Sequence, residues 1–255
     1  MQTQLASKEA LRQARLDDYW DNDLKSVFND IADRYDSAND FFSFGLWNVL
    51  RRRFVSGIEL FPGSTVLDVC AGTNAVGIDL LAADPTLRVT AIDRSEEMQR
   101  TGTERARAKG HRINSVIADV HTLPFDAGMF DAVTLEAATR HLEVKRVFSE
   151  VHRVLKPGGW FYHHDLVKPK NRAVGILYYN YLRVMIPLTT LVFFRTNEFL
   201  GIRKRASRLA NYFVEAINIF YTSDELTVIL KEVGFSEVTA KSVAGGTVAI
   251  HRARK

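Results

Sequence analysis

The run Thr65-Val66-Leu67-Asp68-Val69, followed at once by the turn Cys70-Ala71-Gly72-Thr73-Asn74, constrains the fold of this chain more than any other segment. A short, almost wholly apolar run of this kind fills the middle of a parallel sheet, where both faces are covered. Further β-type runs occur at 88–92, 115–118, 132–135, 159–162, 236–240 and 247–250, with helix-like stretches between most of them. Strand alternating with helix predicts βαβ units: an α/β fold with a mostly parallel sheet, helices on both faces and a ligand crevice at the carboxyl ends of the strands. Only a short link containing Gly245-Gly246 separates the last two runs, which predicts an antiparallel pair at the sheet edge.

Composition narrows the class. The 255 residues are 46% hydrophobic and 25% charged, a profile that argues against disorder, collagen and coiled coil and for one large core. Cys70 is the single cysteine, and residues 1–15 lack the apolar centre of a secretory signal, so a reducing, cytoplasmic setting is expected. The net charge of +4 and pI near 9.2 permit contact with anionic membranes or nucleic acid. No recognition module or aromatic-basic interleaving supports nucleic acid. Basic residues gather at Arg51, Arg52 and Arg53 and again at Arg203, Lys204, Arg205 and Arg208, as a solvated surface or as two patches on one face.

The first segment, 8–33, reads as a charged helix with Leu11, Leu16, Tyr19, Leu24 and Phe28 along one face, a lid or flank. The stretch 173–194 is strongly apolar but carries Arg183 and Pro187. If Pro187 ends the helix, about 14 residues give about 21 Å, short of the roughly 30 Å of hydrocarbon in a bilayer. The expectation is a core or tunnel helix, or one lying in a membrane interface.

Asp93 closes the second strand 21 residues beyond Gly72. Glycine lets a backbone approach a ligand, and a carboxylate at that spacing accepts from both hydroxyls of a ribose. A dinucleotide fold would want three glycines, but Cys70 and Asn74 flank Gly72 at the other two positions, which disfavours NAD. Cys70, among apolar residues, reads as packing rather than as a nucleophile. His163 and His164 are adjacent in a strand, so they point to opposite faces and make no metal site by themselves.

Ala118-Asp119 before Leu123-Pro124-Phe125, then Phe130-Asp131-Ala132-Val133, then Leu155-Lys156-Pro157-Gly158-Gly159 stand where the third to fifth strands should lie. With these, the chain resembles the class I S-adenosylmethionine-dependent methyltransferases, and among them the menaquinone and ubiquinone biosynthesis C-methyltransferases, from about Val27 to the C-terminus. Tyr35-Asp36-Ser37-Ala38-Asn39-Asp40 with Ser43-Phe44-Gly45 is similar to that family's N-terminal signature, and the run from Gly245 to His251 to its C-terminal one. Tyr212, Glu215 and Ile217, and the stretch from Asp165 to Pro169, match as well.

The resemblance implies a Rossmann-like, seven-stranded sheet with its last strand antiparallel, a helical cover over 1–60, and a methyltransferase domain over 61–255 with a helical insertion near 170–220. It implies S-adenosyl-L-methionine as cofactor, with Gly72 and Thr73 at its methionine part, Asp93 at the ribose, Asp119 and Val120 at the adenine, Tyr35 at the carboxylate, and Asp68 also among the cofactor-binding residues. The implied substrate is a prenylated benzoquinol or naphthoquinol. Methylating a quinol carbon requires loss of a hydroxyl proton, and Arg140 as phenolate stabiliser with His141 as general base offers that pair. His163 or His164 is an alternative base. Three departures stand out: Asn74 for a glycine, whose side chain would crowd the cofactor carboxylate; Trp47 for a histidine; and Glu136 for a small polar residue. They keep open a methyltransferase for another small molecule, and a non-catalytic, membrane-peripheral subunit of a quinone-synthesis assembly. The segment 193–205 carries residues extra to the family and ends in the second basic cluster, which suits anionic head groups. Peripheral membrane contact and a homodimer are further expectations.

Overall fold

The computed structural model describes residues 2–19, 25–193 and 199–255, with side chains over 3–15, 26–193 and 206–255. Seven strands form one sheet: β1 (Thr65–Val69), β2 (Arg88–Asp93), β3 (Asn114–Ile117), β4 (Phe130–Glu136), β5 (Leu155–Leu166), β6 (Ser236–Val243) and β7 (Val248–Arg254). Their order is β3-β2-β1-β4-β5-β7-β6, with β7 antiparallel to both of its neighbours and all other pairs parallel. The antiparallel pair is where the glycine link predicts it, but β7 sits inside the sheet and β6 takes the edge. Strand β5 begins at Leu155, earlier than its apolar run, because a register shift between Phe130 and Ala132 keeps the Lys156-Pro157-Gly158 bulge beside β4.

The two-residue period of β1 divides the core. Leu67 and Val69 join Phe148, Phe161, Phe220 and Leu230 on one face, while Val66 joins Phe54, Leu80, Val89 and Tyr162 on the other. Covering the first face are α7 (Val144–Val154) and α10 (Ser223–Val233), and covering the second are α4 (Leu46–Val55), α5 (Ala75–Ala83) and α6 (Glu96–Ala108). A third apolar cluster, including Val27, Ile31, Ala38, Leu182, Ile186 and Leu209, joins α2 (Lys25–Ile31), α3 (Tyr35–Ser43), α8 (Arg172–Phe193) and α9 (Phe199–Asn218).

Two helical expectations need correction. Residues 8–33 are not one described helix: α1 (Gln2–Tyr19) and α2 are separate elements, and α1 buries Leu5 and Arg12 while Leu11 is exposed. The apolar spacing misleads there because a buried cation, not a leucine, carries the contact. The placements of Leu16, Tyr19 and Leu24 lie outside the described residues. Pro187 does not end α8, which continues as 22 residues and is long and apolar enough to cross a membrane. A proline in mid-helix deprives only the carbonyl four residues earlier, that of exposed Arg183, which water can reach. Only 28% of the apolar window of α8 is buried in the protein. Gly175, Leu182, Met185, Ile186 and Thr190 face inward, and Leu177, Val184, Leu188 and Val192 face outward. The side chains of Arg203, Lys204 and Arg205 lie outside the described residues. Arg51 is no surface charge: it turns inward onto Asp79, with Nε to carboxylate at 3.1 Å, while Arg52 and Arg53 stay exposed.

Candidate active site

The turn after β1 passes through left-handed backbone at Cys70 (φ 55°), Gly72 (φ 51°) and Asn74 (φ 59°) before α5 starts. A Cβ placed on Gly72 would meet no protein atom within 4 Å, so the space beside it is open to a ligand. Asp93, at the end of β2, fixes this turn: its carboxylate accepts from the Gly72 and Ser95 amides, each at 2.9 Å. Burial pushes its pKa up, opposed by those amides. Asp68 accepts from the Thr134 hydroxyl at 2.6 Å, while its Oδ2 is buried with no partner. Burial is the main reason that its pKa is pushed up to about 7.

These groups line an open cavity of about 1060 Å³ at the carboxyl ends of β1, β2 and β4. Tyr35, Asp68, Gly72, Thr73, Asp93, Asp119, Val120 and His141 all reach it, so eight of the nine residues singled out from the sequence meet here. Arg140 does not. Asp119 stands at the rim, 65% exposed; burial would raise its pKa, but hydrogen bonds from the His121 amide (3.0 Å) and ring (2.7 Å) win and lower it. Cys70 lines the same cavity, and burial first, then neighbouring carboxylates, push its thiol well up, so it stays protonated.

Asn74 behaves differently from expectation. Its side chain is fully buried and does not line the cavity; it turns toward α6, where Oδ1 accepts from Gln99 at 2.9 Å. Gly102 makes the room, since a Cβ there would stand 2.7 Å from the Asn74 amide carbon. The cofactor side of the turn is therefore as open as with glycine. That removes the structural basis for a dead subunit built on Asn74.

A helical cover closes over the turn. From α3, Asp36 accepts from the Thr73 hydroxyl at 3.1 Å and pairs with Arg105 of α6, whose guanidinium also donates to the Thr73 carbonyl at 3.1 Å. Tyr35 and Asn39 line the cavity from the same helix, and Arg51 reaches it from α4. Neither Arg51 nor Arg105 was expected from the sequence. Each lies in a surface-like charged run, and only the packing of α4 and α6 onto the turn gives it a role.

A second, mainly apolar cavity of about 920 Å³ adjoins the first. Phe28, Tyr35, Asn39, Trp47 and Ala137 border both. Leu182, Ile186, Leu209 and Phe213 of α8 and α9 supply the far wall, and Arg140 supplies its cation. Arg140 and His141 stand on a single 3-10 turn after β4, and so divide between the cavities. Arg140 donates to Asp165 at 2.9 Å and to the Ala137 carbonyl at 2.6 Å, with the Phe213 ring 5.2 Å away. His141 Nδ1 meets the Tyr212 hydroxyl at 2.5 Å. Burial, then Arg140 and Arg12, hold its pKa well below the ordinary histidine range, so the imidazole is neutral at physiological pH.

The turn itself is held by Arg12 of α1, a residue that sequence reasoning missed. Its buried guanidinium donates to the carbonyls of Leu142 (3.0 Å) and Arg140 (3.2 Å), pairs with Glu9, and lies against the rings of both Phe220 and Tyr221. His163 and His164 do point to opposite faces of β5, both fully buried. His163 meets Thr139 at 2.7 Å and His251 at 3.1 Å; His164 meets Glu136 at 2.9 Å. Among the described residues no cluster of histidine, cysteine and carboxylate side chains could hold a metal.

Sheet order, an antiparallel seventh strand, and a carboxylate-lined cavity over the β1 turn define a class I methyltransferase fold. Solved structures agree on the fold: an S-adenosylmethionine-dependent methyltransferase from Aquifex aeolicus matches with TM-score 0.55 at 19% identity, covering 81% of this chain and 88% of that one. Haemonchus contortus phosphoethanolamine N-methyltransferase 2, solved with S-adenosyl-L-methionine, matches with TM-score 0.59 at 16% identity, covering 83% and 53%. Relatives by sequence include the demethylmenaquinone methyltransferase of Symbiobacterium thermophilum, 31% identical with 89% of this chain and 90% of the relative covered. The ubiquinone/menaquinone biosynthesis C-methyltransferase UbiE of Rickettsia bellii is 30% identical over 91% and 92%. The chain belongs to the ubiE/COQ5 methyltransferase family, whose profile matches residues 16–255.

It is a methyltransferase that uses S-adenosyl-L-methionine. The cavity suits that molecule: the partnerless Asp68 oxygen and the carboxylates of Asp36, Asp93 and Asp119 are acceptors matched to a cation bearing an ammonium group and ribose hydroxyls.

Proposed function

We propose that this enzyme transfers the methyl group to a ring carbon of a prenylated benzoquinol or naphthoquinol. The observation that carries the reading is the shared border of the two cavities at Tyr35, Asn39, Trp47 and Ala137: an aromatic acceptor in the apolar cavity meets the contents of the carboxylate-lined one there. Relatives named for menaquinone and ubiquinone biosynthesis support the same substrate class.

When bound, S-adenosylmethionine supplies an electrophilic methyl group on sulfur. Asp93 would hold its ribose, Asp119 and Val120 its adenine, Gly72 and Thr73 with Asp68 its methionine part, and Tyr35 its carboxylate. Arg140, buried at the apolar cavity, supports the phenolate form of the acceptor. His141, neutral and on the cofactor side, is the base that the sequence offers for the acceptor's hydroxyl proton. The apolar faces of α8 and α9 take the prenyl tail and exclude water.

Residues 1–60 act as the cover and 61–255 as the catalytic domain, with 170–220 as its substrate-facing insertion. The outward apolar face of α8 rests in the membrane interface, from which the lipid enters; a full span would strip the apolar cavity of one wall. The experiment is incubation with labelled cofactor and reduced quinone lipids, demethylmenaquinol among them, followed by identification of labelled products. Label in a quinol supports the reading, and label in no lipid removes it. Trp47 and Glu136 favour a second reading, a different small aromatic acceptor, which the same experiment shows as a labelled non-quinone product.

A further inference from the structure

We propose that Glu136, oriented by His164, is the base that takes the acceptor's hydroxyl proton. This deepens the quinol reading and rests on it. Glu136 ends β4 and lines the cofactor cavity, next in sequence to Ala137, which with Trp47 borders the apolar cavity as well. Its Oε1 is 2.9 Å from Nδ1 of His164 on the neighbouring strand, at paired positions in the β4–β5 ladder.

The histidine has little freedom. Its ring is stacked between Trp47, centroids 4.8 Å apart at 12°, and Phe54, 5.1 Å apart at 26°. Its Nε2 is buried with no hydrogen-bond partner. Nδ1 is therefore the ring nitrogen that can donate to the carboxylate. One hydrogen bond then fixes the orientation of Glu136 without neutralising it. Trp47 and Glu136, separate departures when read along the chain, are two ends of one constructed unit.

Tyr35 of α3, Arg51 of α4, Asp68 of β1 and His164 of β5 interact with the carboxylate, and Asp36 of α3 and His141 of the turn after β4 line the same cavity, while Arg140 of that turn borders the other one. Arg51 offsets its charge, whereas Arg140 and Arg12 oppose any proton on His141. Of the two candidate bases, Glu136 is thus the one beside an offsetting cation, and His141 the one faced by two like charges.

In the step, the acceptor's O–H bond breaks, the proton goes to Glu136, and the freed electron pair is delocalised onto the ring carbon. That carbon forms its bond to the methyl group as the carbon–sulfur bond breaks, its electron pair staying on sulfur. Loss of the proton on the methylated carbon to water restores the aromatic ring, and Glu136 returns its proton to the oxygen, so one proton is released per turnover.

The test compares wild type, E136Q, H164L and H164N in cofactor binding by calorimetry and in kcat across pH, with demethylmenaquinol and with an electron-poor halogenated hydroquinone that ionises unaided. The expected result for E136Q is cofactor affinity within about threefold of wild type, kcat with the quinol lower by at least about 100-fold, and loss of the acidic limb of the profile. The deficit shrinks for the halogenated acceptor. H164L displaces the acidic limb, and H164N, whose amide N–H replaces Nδ1–H, restores it. The inference fails if E136Q keeps its kcat, if its loss lies wholly in cofactor affinity, or if both acceptors suffer equally. If wild type methylates neither acceptor, the quinol reading falls and the inference with it; if wild type turns over and E136Q matches it, only the inference falls.

Discussion

At the scale of single residues, the cofactor cavity is a set of buried carboxylates held ready by backbone amides. Replacing Asp93 by Ala removes both the ribose contact proposed for it and the anchor of the Gly72 turn. Hydrogen bonds to a charged group contribute about 1.5–3 kcal/mol each, so cofactor affinity should fall at least tenfold in calorimetry. Unchanged affinity would refute the assignment. Asp68 makes a second prediction. Its folded pKa, pushed up to about 7, exceeds the unfolded value, so the folded state holds the proton more tightly, and the apo protein loses stability as pH rises from about 4 toward 7. The buried histidines oppose this: His163 and His251 have lowered pKa values, and the stability they contribute is lost as pH falls below about 6.5. Comparing Asp68→Asn with wild type in thermal melts across pH isolates the carboxylate. The variant's relative stability should grow by a few kcal/mol toward pH 8; a difference independent of pH would contradict the burial argument.

At the scale of elements, α1 acts on the site although none of its described side chains lines either cavity. Arg12→Met keeps much of the packing against Phe220 and Tyr221 but strips donors from the turn that carries Arg140 and His141. Breaking a buried, paired cation of this kind costs about 3–5 kcal/mol, so the melting temperature should drop by roughly 5–10 °C, with kcat falling as the turn loosens. Arg12→Lys should not rescue it, because one ammonium cannot reproduce the forked donors. A stable, fully active Arg12→Met would show that the turn holds itself. The outward face of α8 gives the other element-scale prediction: Leu177→Glu with Val184→Glu should abolish binding to anionic vesicles in a sedimentation assay while leaving cofactor affinity intact. Retained vesicle binding would place any membrane contact elsewhere.

At the scale of the whole molecule, much of the architecture was legible in the chain because it rests on local periodicity. All seven strands lie at or near the runs read from the sequence, the inner ones because a strand buried on both faces must be largely apolar whatever surrounds it, while the edge strands β3 and β6 are mostly exposed. That Gly72, Asp93 and Asp119 would line one cavity was legible because they sit at or just beyond strand ends, where sequence position alone brings them together. The fate of Asn74 was not, because its direction depends on Gly102, 28 positions away and on a different helix. Nor was the division of Arg140 and His141 between two cavities, nor the burial of Arg12, whose charge reads as surface until its carbonyl partners are in view. The sequence by itself determined the strand order's raw material, the cofactor turn and the class of chemistry, through patterns spanning a few residues. Tertiary structure decided which polar groups became site residues: a buried cation, a stacked histidine or a partnerless carboxylate is defined by neighbours that only folding supplies, and its energy depends on water being excluded from it.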